Sequence, residues 1–351
     1  MKLKYYILFT ILMFLILGCD SLVEKTTTTT ISSTTTTIGT GTTTTTINSS
    51  LRIEDIRTKW LQLKPKFSGN YYEVNPSTYN QSTAKLVAPY SAGQLKAGFL
   101  EDALNMTNFV RFLAKLPYDV VLDSTLVTKA QHGAVLLCAS SFSHTPTKPA
   151  DMDDTFYQLG YSSTSSSNIG WGYSTLTSSI KDGYMSDGDS SNIDRVGHRR
   201  WILNPKLLKT GFGYAYSLMT MQVFDQSRTQ TFDYDYISWP SSSEFPIDFF
   251  KNGDPWSVTL NPAKYTQPSK TLVTVILKSV TQQWTFNQND TNKSGKYFNV
   301  ETSGYGVNNC IIFRPDGITL YTGSYTVEII GIKDKSGNDT TIKYTVTFFS
   351  L

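Results

Sequence analysis

The chain has 351 residues, 17% of them charged, and a formal net charge of +3. So small and dilute a balance, with no basic run longer than His198-Arg199-Arg200, excludes nucleic acid as a partner class. The three cysteines, Cys19, Cys138 and Cys310, are too far apart and too few for a disulfide framework or a zinc ribbon. The 21 Tyr and 19 Phe among abundant Ser and Thr favour half-buried strands in an extracytoplasmic protein.

In chain order, Lys2 and Lys4 precede an apolar stretch from Tyr5 to Leu17 that is short for a membrane span, which predicts a signal peptide over residues 1–18. Its end, Leu15-Ile16-Leu17-Gly18-Cys19, resembles the lipobox of bacterial lipoproteins. That resemblance implies cleavage before Cys19, lipidation of Cys19 with palmitate-type acyl chains, and attachment to a membrane of the cell envelope on its extracytoplasmic side. More than one acyl chain makes such an anchor stable. Thr26 to Thr46 is nearly all Thr and too poor in apolar residues to offset its ordering entropy, so residues 19–50 read as a lipidated, disordered tether. Some 30 residues of flexible chain reach on the order of 30 Å.

Folded structure is expected from Leu51. Leu95, Phe99, Ala103, Met106, Val110 and Leu113 recur at spacings of three and four, which predicts a helix over about 92–116 that Pro117 stops. Asp123-Ser124 is a candidate cap for a second helix with Leu126, Ala130, Ala134 and Leu137 on its stripe. His132 falls off that stripe and reads as a surface residue without a role, and Cys138 as a small buried hydrophobe. The helix ends before Phe142, which leaves His144 in a loop with Pro146. A Ser-rich loop, Ser162 to Ser167, leads to Asn168-Ile169-Gly170-Trp171-Gly172. Leu176, Ile180 and Tyr184 then mark a third helical face, followed by the acidic loop Asp187-Gly188-Asp189 and a helical turn over Arg199–Leu203. Phe212–Tyr216 and Met219–Phe224 read as a hairpin. Past Trp239-Pro240 only strand and turn patterns remain, in runs that include Leu272–Leu277, Cys310–Phe313 and Ile342–Phe349, the pattern of an immunoglobulin-like β-sandwich over residues 239–351. Cys310 reads as a further buried hydrophobe. The change of character falls between about Phe232 and Phe245, and at this length each side can bury a core of its own.

His144 and His198 are two of only three histidines, and they converge if the chain between them folds back. The segment Asp187-x-Asp189-x-Ser191 opens like a calcium loop, but Asn192 stands where the turn glycine belongs and His198 where the bidentate Glu belongs, so it reads as a solvated acidic loop. Asn105 and Asn108-x-x-Arg111, the helix leading to His144, Asn168-Ile169-Gly170-Trp171-Gly172, Gly197-His198-Arg199-x-x-Ile202-Leu203 and Gly211-Phe212-Gly213 together resemble the CAP superfamily, also called SCP: cysteine-rich secretory proteins, antigen 5 proteins and pathogenesis-related proteins. The resemblance implies an α/β fold, an α/β/α sandwich over residues 51–238 with a central cavity lined by two His and two acids. His144 and His198 match the two histidines. Ser167 stands at the first acid position, and Asp187 at the second. Two imidazoles with a carboxylate suit a divalent, zinc-like ion, with His144 and His198 as its ligands. The implied function is a lipid-anchored binding or interaction module for a small apolar ligand, a peptide or an envelope or host component. The alternative is a metal-assisted hydrolase that uses the same residues, with Ser167 leaving it without one acid.

Cys19→Ala is expected to leave the chain unlipidated and to move it out of the membrane fraction. Radiolabelled palmitate entering the variant would overturn the lipobox reading.

Overall fold

Tight packing around one helix organises the N-terminal part. The computed structural model describes residues 50–74 and 82–351, so the expected signal peptide, Cys19 and the Thr-rich tether lie outside the described residues. Helix α1 spans Ile53–Leu63 and helix α2 Ala97–Leu113. Phe99, Ala103, Met106, Val110 and Leu113, all on the expected stripe of α2, are buried. Leu95 is buried too, but it lies before the helix, in a bridge with Tyr72, so α2 starts later than its periodicity suggests. Asp102 accepts from the backbone N–H groups of Lys66 and Phe67 and so holds the segment that follows α1.

Strand β1, Val121–Leu122, precedes helix α3, Ser124–Ala139. Asp123 caps α3 as expected, its carboxylate accepting from the N–H of Thr125 and Leu126 at 3.0 and 3.1 Å. Helix α4, Asp154–Thr164, has no counterpart among the expected elements. Its C-terminal serines and threonine have the composition of a loop, but in the structure they bond back to the helix, Ser162 Oγ to the Leu159 carbonyl and Thr164 Oγ1 to the Tyr161 carbonyl. Helix α4 packs on α3. His132, expected at the surface, is half-buried, and its ring lies 4.5 Å from that of Phe156 on α4.

Strand β2, Ser167–Trp171, leads to a short helix α5, Leu176–Ser178, which continues as a π-helical turn over Ser179–Tyr184. Helix α6 is Gly197–Ile202, and strands β3, Lys209–Thr210, β4, Phe212–Ala215, and β5, Leu218–Gln222, follow. β1 pairs with β3 in parallel, and β2, β5 and β4 form an antiparallel sheet in that order. Helix α3 lies against β4 and β5, so closely that a Cβ on Gly213 would sit 2.2 Å from the Ala130 carbonyl oxygen. Gly170 of β2 instead faces Tyr184 and Ser179 of the π-helical turn. Between β4 and β5 the turn residues Tyr216 and Ser217 both have positive φ, 46° and 69°, and the Gly172 N–H donates to the Ser217 carbonyl at 3.0 Å.

The C-terminal part is built of strands β6, Tyr236–Trp239, β7, Ser243–Pro246, β8, Trp256–Leu260, β9, Thr274–Lys278, β10, Gln283–Phe286, β11, Tyr297–Glu301, β12, Cys310–Arg314, β13, Gly323–Lys333, and β14, Asp339–Phe349. They make a five-stranded sheet, β10-β9-β13-β14-β7, and a four-stranded sheet, β11-β12-β8-β6. Among the described residues, then, the chain is a mixed α/β fold with a β-rich C-terminal region, and β7 joins β14 in parallel. Trp256 is the centre of this region, donating its indole N–H to Tyr321 Oη at 3.0 Å and lying against Phe250, Phe313 and Phe348.

Residue 239 falls at the end of β6, which pairs with β8, so strand structure of the C-terminal kind begins at Tyr236. In place of the separate cores that the chain length permits, one apolar core runs through both parts. The ring of Phe249, between β7 and β8, packs at 5.0 Å from Phe109 of α2 and 5.6 Å from Trp60 of α1. Arg199 adds a polar clamp. It is fully buried and donates to the carbonyls of Met185 and Ser186 on one side and to the Pro255 carbonyl and Ser257 Oγ on the other. Arg199→Ala strands these acceptors without donors, at about 1–3 kcal/mol for each that stays unpaired, so a loss of roughly 3–5 kcal/mol in urea-induced unfolding is expected. A loss under about 1 kcal/mol would mean that the clamp is dispensable.

Candidate functional site

The best-defined polar group of the N-terminal part is a carboxylate and imidazole pair, produced by the path of the chain after the π-helical turn. The backbone turns at Asp187, whose φ is +48°, a conformation that Asp adopts more readily than most residues. Asp189 closes the next turn, accepting from the Ser191 N–H and from the Asn192 side chain. Val196, also at positive φ, then delivers the chain into α6, where a Cβ on Gly197 would meet the Tyr305 ring at 2.9 Å. This route puts the buried Asp187 carboxylate against the start of α6. Asp187 Oδ1 lies 2.7 Å from His198 Nδ1, and Oδ2 accepts from the Arg199 N–H at 3.1 Å.

With Asp187 ionised, the pair fixes the imidazole with Nδ1 as donor and leaves Nε2 for other partners. The Tyr184 ring lies 5.3 Å from the imidazole, its hydroxyl donating to the Asn168 carbonyl, and the Asn168 amide donates to the His198 carbonyl at 3.0 Å. Burial works against a charge on His198. The charge and hydrogen bond of Asp187, with a smaller contribution from Asp189, outweigh it and raise the imidazole above the usual histidine value.

His144 is fastened elsewhere. Its Nδ1 is 2.8 Å from the Thr164 carbonyl, and Thr164 Oγ1 donates to the His144 carbonyl at 3.1 Å. The structure thus ties both histidines to one short stretch, Thr164 to Asn168, His144 at its start and His198 at its end. Ser167 lies between them and is buried. Its hydroxyl accepts from the Gln222 amide at 2.6 Å, and the same amide reaches Ser163 Oγ at 2.8 Å. A neutral Ser167–Gln222–Ser163 network therefore occupies the position where the family resemblance asks for an acid.

A catalytic zinc site takes three protein ligands and an open position. Both oxygens of Asp187 are engaged by His198 and Arg199, Ser167 Oγ is engaged by Gln222, and the described residues contain no group of three or more His, Cys, Asp or Glu arranged to hold a metal ion. The donors present do not fit a resident zinc with His144 and His198 as its first ligands.

Residues 104–220, from the middle of α2 to the middle of β5, match the family model of CAP, the cysteine-rich secretory protein family. The match takes in His144, Ser167, Asp187 and His198 and leaves the β-rich region outside. No curated protein gives a significant match to the chain.

Sequence reasoning missed Gln222, whose amide completes the neutral network, and the structural part of Arg199 and Arg200. For Gln222 the available signal was a Gln pointing inward from a strand of mostly apolar neighbours. The two arginines have the pattern of a basic run at the surface, but both are buried, and Arg200 donates to the carbonyls of Ser303 and Val307.

Because its folded-state pKa is raised, His198 contributes stability that is fully present below its unfolded value of about 6.5 and is lost as pH climbs through the folded value. The thermal midpoint is expected to carry this fall with rising pH. Asp187→Asn, which keeps a residue tolerant of positive φ, should lower the midpoint most on the acid side and flatten the slope. Scanning fluorimetry between about pH 5.5 and 8.5 reads both. Parallel profiles for the two proteins would show that the pair does not contribute in this way.

Proposed function

We propose that the protein is a lipid-anchored, extracytoplasmic CAP-type binding module, held to a membrane of the cell envelope through Cys19, that engages a small apolar ligand, a peptide or an envelope component. The observation that carries this reading is the neutral network at Ser167. General acid and base chemistry between two carboxylates needs an ionisable group there, and the hydroxyl is instead committed to Gln222 and neighbours Ser163. What remains is one oriented imidazole, His198, and an exposed His144 that is held separately at Thr164. Such groups recognise a ligand through hydrogen bonds without transforming it.

Apolar recognition is supported by the end of the sheet. Trp171 is 71% exposed and Tyr216 is 61% exposed, and the backbone bond from Gly172 to Ser217 holds the two chain segments side by side. Phe142, also exposed, lies in the loop that carries His144. Large aromatic side chains in contact with water at one edge are a usual anchor for a partner.

Metal-assisted hydrolysis is the second reading, and the Asp187–His198 pair is the one feature that favours it. The shortage of a third ligand weighs against it. Zinc titration of the purified full chain separates the two: the binding reading expects His144→Ala and His198→Ala to leave zinc affinity at the wild-type level. Affinity that drops in both variants by about tenfold or more would favour the hydrolase. In native mass spectrometry, a molecule that co-purifies with the chain and is released by Trp171→Ala would support the module, and an unliganded chain from its own membranes would count against it.

A further inference from the structure

A cavity of about 680 Å³ lies away from the histidines, between the end of α6, the irregular segment before β6 and the loop before β12. Its size suits a ligand of one or two sugar units. The chain builds it in three steps. After α6, Asn204-Pro205-Lys206 makes a turn in which Asn204 Oδ1 accepts from the Lys206 N–H at 3.1 Å. The Arg228 N–H then donates to the Lys206 carbonyl, which lays the segment carrying Phe232 and Tyr234 alongside that turn. Gly306, at φ +83°, closes the third wall: a Cβ there would lie 2.9 Å from that of Asn204, so only glycine lets the loop come so near.

The chemistry of the walls is uneven. Phe232 and Tyr234 present nearly parallel rings, 5.8 Å apart with an interplanar angle of 13°. Amides come from Asn204, Gln226 and Asn308, and hydroxyls from Thr229, Thr231 and Tyr234. Among the described residues two cations, Lys206 and Arg228, line the cavity, and no Asp or Glu does. Lys206 is exposed and has no carboxylate partner among the described residues, whereas Arg228 turns its two terminal nitrogens away to Asp119.

Since Asn204 Oδ1 is engaged by Lys206, its amide nitrogen is left as a donor, and among the described residues neither it nor Arg228 Nε, both buried atoms, meets an acceptor. Asn204 is 1% exposed and Arg228 8% exposed, so bulk water does little to relieve them. Behind Asn204, the fully buried Arg111 holds its carbonyl at 2.8 Å and bonds to the carbonyls of Pro117 and Ile202, with no carboxylate in contact. Among the described residues Asp119 is paired with only one of these two buried guanidinium groups, that of Arg228, and the region carries an excess of positive charge and of donors.

We infer that this cavity binds an acidic sugar unit, with the ring on the faces of Phe232 and Tyr234 and the carboxylate toward the exposed Lys206. Stacked aromatic faces with several amides and hydroxyls match the alternating apolar faces and hydroxyls of a pyranose, and the cationic, acid-free lining selects the carboxylate. The site shares no residue with the histidine region, so it stands or falls independently of the function proposed above.

Calorimetric titration of the purified full chain with methyl β-D-glucuronide, methyl β-D-glucoside and phenylacetate tests it. The glucuronide is expected to bind roughly tenfold more tightly than the glucoside, and phenylacetate, a carboxylate on a ring without hydroxyls, more weakly than the glucuronide. Lys206→Gln should bring the glucuronide down to the glucoside level and Lys206→Arg should retain it, while Lys343→Gln, an exposed lysine on β14, controls for overall charge. Tyr234→Ala should weaken both sugars, with the thermal midpoint measured alongside to confirm folding. Silence with both sugars, equal binding of the two, tightest binding of phenylacetate, or no effect of Lys206→Gln would each overturn the inference.

Discussion

The buried guanidinium of Arg199 is the contact on which the rest of the arrangement depends. Its backbone N–H donates to Asp187, and its side chain donates to carbonyls of the residues just before Asp187 and of the strand region beyond residue 250. One residue therefore sets the position of the carboxylate that orients His198 and fixes where the β-rich region meets the helices. Burial drives its pKa down, and nearby Asp187 and Asp254 partly offset that effect. A charge this deeply buried is tolerable only because each edge of the guanidinium meets an oxygen, so a shift of either part relative to the other is felt directly at the site.

Much of the helical layer was legible because its signals are local. The α2 stripe and the Asp123 cap act within one or two turns, where spacing and side-chain type decide the outcome. Leu176, Ile180 and Tyr184 kept their common buried face even though the turn they lie on is π-helical and not α-helical. Helix α4 was missed because its serines and threonines resemble loop residues until their hydroxyls are seen bonding back to the preceding turn. Strands β6 to β8 were hidden by short length and by the prolines and serines between them, and they exist through pairing with β12 and β14, far along the chain. Alternation cannot report a partner that distant.

For the site, the sequence offered four candidate positions, and the structure joins only some of them. Asp187, which the family resemblance put at the second acid position, is in direct contact with His198. Ser167 was recognised as a missing acid, but nothing local could show that Gln222, on a neighbouring strand, would take up its hydroxyl. The same distance effect explains His132, whose partner Phe156 lies on the unforeseen helix. Arg199 and Arg200 carry no sequence signal of their burial, in which backbone carbonyls from remote loops replace the water.

The turn between β4 and β5 has one more consequence. Left-handed backbone at two consecutive residues is the geometry that a tight hairpin needs, and Asn-Gly would adopt it with little strain, whereas Tyr216-Ser217 do so at roughly 1–2 kcal/mol for each residue. The chain therefore holds an unused reserve of stability at this corner, and drift toward a more robust protein has an easy route open to it there. Taking that route would remove the aromatic ring that now stands in water beside Trp171. The corner is thus a place where robustness and surface chemistry pull in opposite directions, and in the present chain the surface chemistry has prevailed.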